Sequence, residues 1–392
     1  MRPSRDQAAS AGGAALFSCS LGIASVALPL LALRSGYTAA EVGILTAVSA
    51  IAQLATRLVL GAVMRRVGDW VLVVGAGLTL GLSSGLVAIS AAIVPFTIAQ
   101  LLQGVSRACF WTGSQTHVVR GEGRAVGALA AINFVSSLGL LVGPVLAGVL
   151  IEGSARTALV VGGAVAAVAV VPALLLDRLP AFTPPADRPP GRIWRRPGVD
   201  VGCWAGVSAG AWRGLLSSFV PVALDAARQS AATIGVLVSV ANGAAVVGAA
   251  VVGRVDGLWV RRSFLLGTVA AGGGTALVTL TAGSAWAAAA LLALSGLGAG
   301  ALQTVGPAIA TEAVHPEERG EAIAAAGTFR AAALFGGPIA VSGAVLFLPL
   351  AVAMGAAGVL IAGTAAAVRG ACAGGANLRH LRTNGQSIGG IR

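Results

Sequence analysis

Apolar residues run along this chain in long blocks, each closed by a short polar or basic burst, and the pattern holds almost from one end to the other. The blocks fall at about 14–33, 42–63, 70–91, 94–118, 125–150, 156–176, 200–223, 232–252, 263–283, 286–311, 321–346 and 348–368. A helix rises about 1.5 Å per residue, so roughly 20 apolar residues cross the hydrocarbon core of a bilayer. The spacing therefore predicts twelve membrane-spanning helices. The blocks are unbroken rather than alternating, which excludes the strands of a membrane barrel. The first block, flanked by Arg2 and Arg5, is too long for a signal peptide and leads into a second apolar block, so it is read as the first helix.

Composition points the same way. Of 392 residues, 56% are hydrophobic and only 10% charged, with a mean hydropathy of +0.88. A soluble domain carries about 25% charged residues, and a disordered chain is polar and charge-rich; both classes are excluded. The net charge of +12 resembles a nucleic-acid signature only until the charges are placed. All 26 basic residues are arginine, and 22 of them sit between the apolar blocks or in the tails. With the N-terminus cytoplasmic, 19 arginines fall in inside loops and tails, against Arg34, Arg156 and Arg228 outside. That asymmetry predicts cytoplasmic N- and C-termini and an even number of spans. Cys19, Cys109 and Cys203 fall inside spans and Cys372 in the tail, without a CxxC, so no disulfide, metal or redox centre is expected. His117 ends helix 4 and His315 follows helix 10, neither with a ligand partner in sequence.

The blocks form two halves. Pro29 and Pro221, read as closing helices 1 and 7, are 192 residues apart, as are Gly43 and Gly235, Gly61 and Gly253, and Gly104 and Gly296. Gly143-Pro144 and Gly337-Pro338 follow at 194. Ordered matches of this kind mark an internal repeat. The expected plan is a six-helix half over 1–176, a proline-rich cytoplasmic linker over 177–199, a second six-helix half over 200–368 and a disordered basic tail over 369–392. Paired six-helix halves are the plan of many secondary transporters, with the substrate near the midplane.

Two motifs carry a family resemblance. The loop between helices 2 and 3 reads Gly61-Ala-Val-Met-Arg65-Arg66-Val-Gly68-Asp69-Trp70. Helix 5 places Ala130, Gly139, Gly143-Pro144 and Ala147-Gly148 in order. On these residues the chain resembles the major facilitator superfamily over 14–368, and helix 5 is similar to the antiporter signature of its drug/proton exporters. The resemblance implies an all-α polytopic membrane protein, with Gly61, Arg65, Arg66 and Gly68 at a gating loop. Arg65 replaces the family's aspartate there, and the basic pair is missing. The loops read equally as orientation-setting charge. The helix-5 glycines read equally as close packing, like Gly77, Gly81 and Gly85 of helix 3.

Polar residues inside the blocks are the candidate chemistry. Gln100, Gln103, Gly104, Arg107, Trp111, Ser114 and Gln115 form one stripe on helix 4. Arg107, Arg213 and Arg330 stand near mid-bilayer, where each costs roughly 2.5–3.5 kcal/mol. No Asp or Glu shares their depth, so carbonyls, water or a substrate must answer them. Arg57, nearer the inner end of helix 2, is expected to snorkel to the headgroups. Asn133, Asn242 and Gln303 complete the candidate set, as packing hydrogen bonds or as ligand contacts. No phosphate loop exists to use ATP. The first reading is a proton-driven exporter of small amphipathic compounds or drugs in the cell inner membrane; the second is a facilitator or exchanger for an organic anion; a membrane sensor is a remote third. The expected partners are a small-molecule substrate, protons and the lipid bilayer. A monomer without cofactor, enzymatic activity or nucleic acid is expected.

Overall fold

The structure is a computed structural model that describes residues 4–64, 66–120, 125–180, 193–252, 258–314 and 319–373. Among these, fourteen helices make twelve passes. They are α1 (Arg5–Arg34), α2 (Ala39–Met64), α3 (Asp69–Ile89), α4 (Ile93–Arg120), α5 (Ala125–Gly153), the pair α6 (Ala155–Val168) and α7 (Val170–Leu174), the pair α8 (Val199–Leu216) and α9 (Phe219–Ala226), α10 (Ala231–Val252), α11 (Leu258–Leu277), α12 (Ala285–Glu312), α13 (Arg319–Ala344) and α14 (Leu350–Ala373). Among the described residues nine helices are long and apolar enough to cross a membrane, and the broken α8–α9 pair makes a tenth. The protein is an all-α polytopic membrane protein of two six-pass halves. The end of the bundle that holds Arg5 and the α7–α8 connection is called here the linker end, the opposite one the turn end.

Local sequence sets where the helices start and stop. Ser4 and Gln7 form a reciprocal cap at the start of α1, and Thr38 and Glu41 do the same for α2. Gly36, at φ +92°, takes the left-handed turn that lets α1 end and α2 begin. Pro29 and Pro221 do not close helices as expected. Pro29 lies inside α1, where a packed bundle tolerates it, and Pro221 lies in the first turn of α9, where its missing N–H has no helical acceptor to lose. The first pass also begins at Arg5 rather than near residue 14. Between α8 and α9 the pass bends by 41°. There the Ser217 hydroxyl donates to the Arg213 carbonyl (3.0 Å) and the Ser218 hydroxyl to that of Gly214 (2.7 Å), which draws carbonyls out of the helical ladder.

Glycines set the packing. An added Cβ on Gly104 of α4 would strike the Ser49 carbonyl of α2, and one on Gly296 of α12 would strike the Ala241 carbonyl of α10. In α1 against α5, Gly22 faces Pro144 Cδ (2.8 Å from an ideal Cβ); in α8 against α13, Gly214 faces Pro338 Cδ (2.9 Å). The apolar residues that no helix covers form an outer stripe. Phe134, Leu138, Val142, Val145 and Val149 lie exposed along α5, as suits a surface solvated by lipid.

The halves meet at the turn end. Gly148 of α5 abuts Ala231 of α10, Gly235 abuts Pro144, and Gly43 of α2 sits under the Phe219 ring and Ser342 of α13. Asn133 shares a face of α5 with Leu140 and Pro144, yet it lies exposed nearer the linker end.

Candidate functional site

The polar stripe of α4 faces inward. Gln100 and Gln103 are buried and Arg107 is half-buried; with Ser25, Thr46, Phe96 and Ser217 they line a narrow central cleft between α1, α2, α4 and the bend after α8. Ser114, further along the helix, is also buried, and Trp111 turns its ring edge-to-face against Phe110 at 5.4 Å. Trp111 thus packs with the aromatic layer of α1 and α4 rather than among the cleft-lining residues.

Each central arginine is answered by one side-chain amide. Arg107 Nη2 donates to Gln103 Oε1 at 2.8 Å, one turn back on the same helix. Arg330 Nη2 donates to Gln303 Oε1 of α12 at 3.1 Å. Arg213 Nη1 donates to Asn242 Oδ1 of α10. Asn242 Nδ2 in turn donates to the Leu140 carbonyl of α5 at 3.2 Å, so this arginine is tied across the two halves. Of the sequence candidates, Gln103, Asn242 and Gln303 are therefore brought to the arginines, and Asn133 is not.

Arg57 departs from expectation. Its guanidinium turns into the bundle. It reaches across to α13, where Nη1 lies 3.7 Å from the place of a Cβ on Gly327, one turn from Arg330. Proximity makes Arg107 repel Arg213, and Arg330 repel both Arg213 and Arg57. The interior thus holds four arginines joined in a chain of neighbouring like charges. Among the described residues no carboxylate is paired with any of them. The nitrogen Nε of Arg57, Nε of Arg107, Nε2 of Gln103 and Oε1 of Gln53 are buried without a partner. Ser49, Gln53 and Arg57 recur every fourth residue on α2; that spacing is the signal that would have placed Arg57 on the inner face.

At the gating loop, Gly61 falls in the last turn of α2, Arg66 is exposed, and Arg65 lies outside the described residues. Gly68 caps α3, and a Cβ there would stand 3.0 Å from the Leu179 carbonyl, so glycine lets the chain leaving α7 pass close by. The loop's acid is Asp69, buried at the start of α3. In the second half, the counterpart loop at 253–257 lies outside the described residues. On α5, Gly139 faces the Ala15 carbonyl, Gly143 the Cys19 carbonyl and Gly148 the Ala231 carbonyl. Small residues there let three helices approach backbone to backbone. His117, expected to stand alone, has partners: Asp6 and Asp69 approach its two ring nitrogens. Sequence could not show it, since Asp6 is 111 residues away.

The family model described as Major Facilitator Superfamily matches residues 11–222. Solved structures share the fold at low identity. A point mutant of the nucleoside transporter NupG superposes with a TM-score of 0.76 at 12% identity, covering 94% of this chain and 98% of that one. A POT family transporter in complex with 5-aminolevulinic acid gives 0.74 at 10% identity, covering 93% and 95%. A bacterial homolog to the human lysosomal transporter Spinster, inward-facing and unoccupied, gives 0.70 at 13% identity, covering 95% and 96%. No curated relative matches the chain by sequence.

Proposed function

The chain belongs to the Major Facilitator Superfamily, and on that premise we propose that this integral membrane transporter moves small organic anions by alternating access to its central cleft. One observation carries the reading: the interior arginines are met by amide oxygens and, among the described residues, by no carboxylate. An amide oxygen orients a guanidinium without neutralising it. Unanswered charge at this depth is costly, and a carboxylate or phosphate is the group that a guanidinium fork fits, through paired charge-assisted hydrogen bonds. The substrate supplies the missing negative charge. Arg107, Arg213, Arg330 and Arg57 bind it, while Gln103, Asn242 and Gln303 aim them. Alternation then needs the Gly148–Ala231 and Gly43–Phe219 contacts at the turn end to open as the linker end closes.

A second reading, a proton-driven exporter of amphipathic compounds or drugs, is favoured by the close seam that Gly139, Gly143, Pro144 and Gly148 make on α5. The arginine asymmetry supports a cytoplasmic linker end in the cell membrane, with 1–176 and 200–368 as the moving halves of a monomer. Reporters fused near Arg192 and near Arg379 are both expected to report cytoplasm; an external signal from either overturns that topology. Uptake and release in vesicles under an imposed pH gradient, run on carboxylated, neutral and cationic compounds, separates the two functional readings. Carboxylated compounds are expected to move best. If cationic dyes are the best substrates, the anion reading is wrong.

A further inference from the structure

One cluster of titratable side chains plays no part in the cleft. At the linker end of α4, the His117 ring is only 1% exposed. Its Nε2 lies 2.9 Å from Oδ1 of Asp6 on α1, and its Nδ1 lies 3.3 Å from Oδ1 of Asp69 on α3. A neutral imidazole has one N–H and one lone pair. With a carboxylate oxygen at each nitrogen, either neutral tautomer turns its lone pair onto a negatively charged oxygen. A doubly protonated, positive ring is attracted by both carboxylates, through a hydrogen bond from Nε2–H to Asp6 and a close charge contact of Nδ1 with Asp69 that lacks hydrogen-bond alignment. Asp69 is fully buried and Asp6 is 20% exposed, so Asp6 is the member in touch with solvent. Main-chain groups also hold the acids in place. The Trp70 main-chain N–H donates to Asp69 Oδ1, and the Asp177 main-chain N–H, beyond α7, donates to Asp6 Oδ1, both at 2.9 Å. The charge beside Asp177 is Arg178, whose guanidinium lies over the Trp70 ring at 5.3 Å.

We propose that Asp6, His117 and Asp69 form a proton-binding site at the linker end, which exchanges its proton with that side through Asp6 and fastens α1, α3 and α4 together while the proton is held. Loss of the proton leaves two carboxylates facing a neutral ring, and one of the two contacts becomes repulsive. The start of α1 and the Asp177 turn are then released from α4. Both α1 and α4 line the central cleft, so protonation on this side acts on the opening of the cleft. The site stands on its own geometry and does not depend on the substrate being an anion.

The test uses the full-length protein in lipid nanodiscs with 15N-labelled histidine, the His117 signals being assigned by comparison with His315→Gln and His380→Gln. In the protonated form the Nε2–H is expected to be hydrogen-bonded to carboxylate and the Nδ1–H to be shielded from water. Asp6→Asn or Asp69→Asn is expected to move the His117 titration midpoint by more than about one pH unit, the scale of one close charge. Arg213→Gln, which the anion reading expects to impair binding, is expected to leave that midpoint where it is. A midpoint indifferent to both carboxylates overturns the proposal. If neither carboxylate variant folds, the wild type decides: a second ring N–H that exchanges freely with water overturns it.

Discussion

The two halves share a skeleton and differ in chemistry. Gly104 on Ser49 in the first half is Gly296 on Ala241 in the second, with both members of the pair displaced by 192 residues. Gly22 on Pro144 becomes Gly214 on Pro338, and the contact of Gly43 with Ser342 between halves is mirrored by that of Gly235 with Gly148. The interior charges do not repeat. At the same offsets Arg107 corresponds to Ala299, Arg57 to Ala249, Arg213 to Leu21, Arg330 to Ser136, and His117 to Ile309. Close packing is what two copies of one bundle must share in order to swing about a common centre. Charge is placed once, and the proposed anion and proton sites both rest on that asymmetry. The repeat therefore marks the shared packing, and departures from it mark the candidate sites.

The scaffold side of this comparison breaks most visibly where α5 meets α1. An added Cβ on Gly143 would press on the Cys19 carbonyl and stand 2.8 Å from Gly22 Cα, both of them backbone that cannot yield. Gly143→Leu is expected to abolish vesicle transport while leaving membrane abundance largely intact; wild-type rates from that variant would reduce the seam to coincidence. The functional side breaks more gently at Arg57, which has no repeat partner and whose buried Nε finds no acceptor among the described residues. Arg57→Gln is expected to weaken binding of carboxylated substrates by about threefold, or ~0.7 kcal/mol, as read by calorimetry. An unchanged affinity would return Arg57 to a packing role. The smallest effect sharpens the contrast between the halves. Gly337 has looser surroundings than its counterpart Gly143, with Ala211 Cα at 3.3 Å from an ideal Cβ. Gly337→Ala is expected to change transport by less than about twofold, within ~0.5 kcal/mol. A loss as complete as that of Gly143→Leu would mean that the equivalent seams carry equal loads.

Much of this was legible in the chain itself. Block length and arginine asymmetry predicted twelve passes, since the bilayer imposes both a length and a charge rule on any sequence that crosses it. The repeat was readable because backbone contact demands glycine at fixed places. Arg107, Arg213 and Arg330 stood out because charge is rare at that depth, and the structure sets an amide against each. Other features lay beyond one-dimensional reading. Arg57 sits near enough to a helix end for its long side chain to reach either the headgroups or the interior, and only the position of α13 decides between them. His117 looked solitary because its partners come from α1 and α3 and meet it only in the folded bundle. Pro29 and Pro221 looked like helix ends because proline ends helices in water, whereas a packed pass absorbs Pro29 and the broken pass restarts just before Pro221.

The claim that the central arginines recognise negative charge is tested most directly by binding to Arg107→Gln, measured with a carboxylated compound and an uncharged analogue of the same shape. Glutamine keeps a hydrogen-bonding side chain and removes only the charge. The expected result is that affinity for the carboxylated compound falls by more than about tenfold, or ~1.4 kcal/mol, while the uncharged analogue binds as it does to the wild type. An equal loss for both compounds would contradict anion recognition and leave Arg107 as an organiser of the bundle.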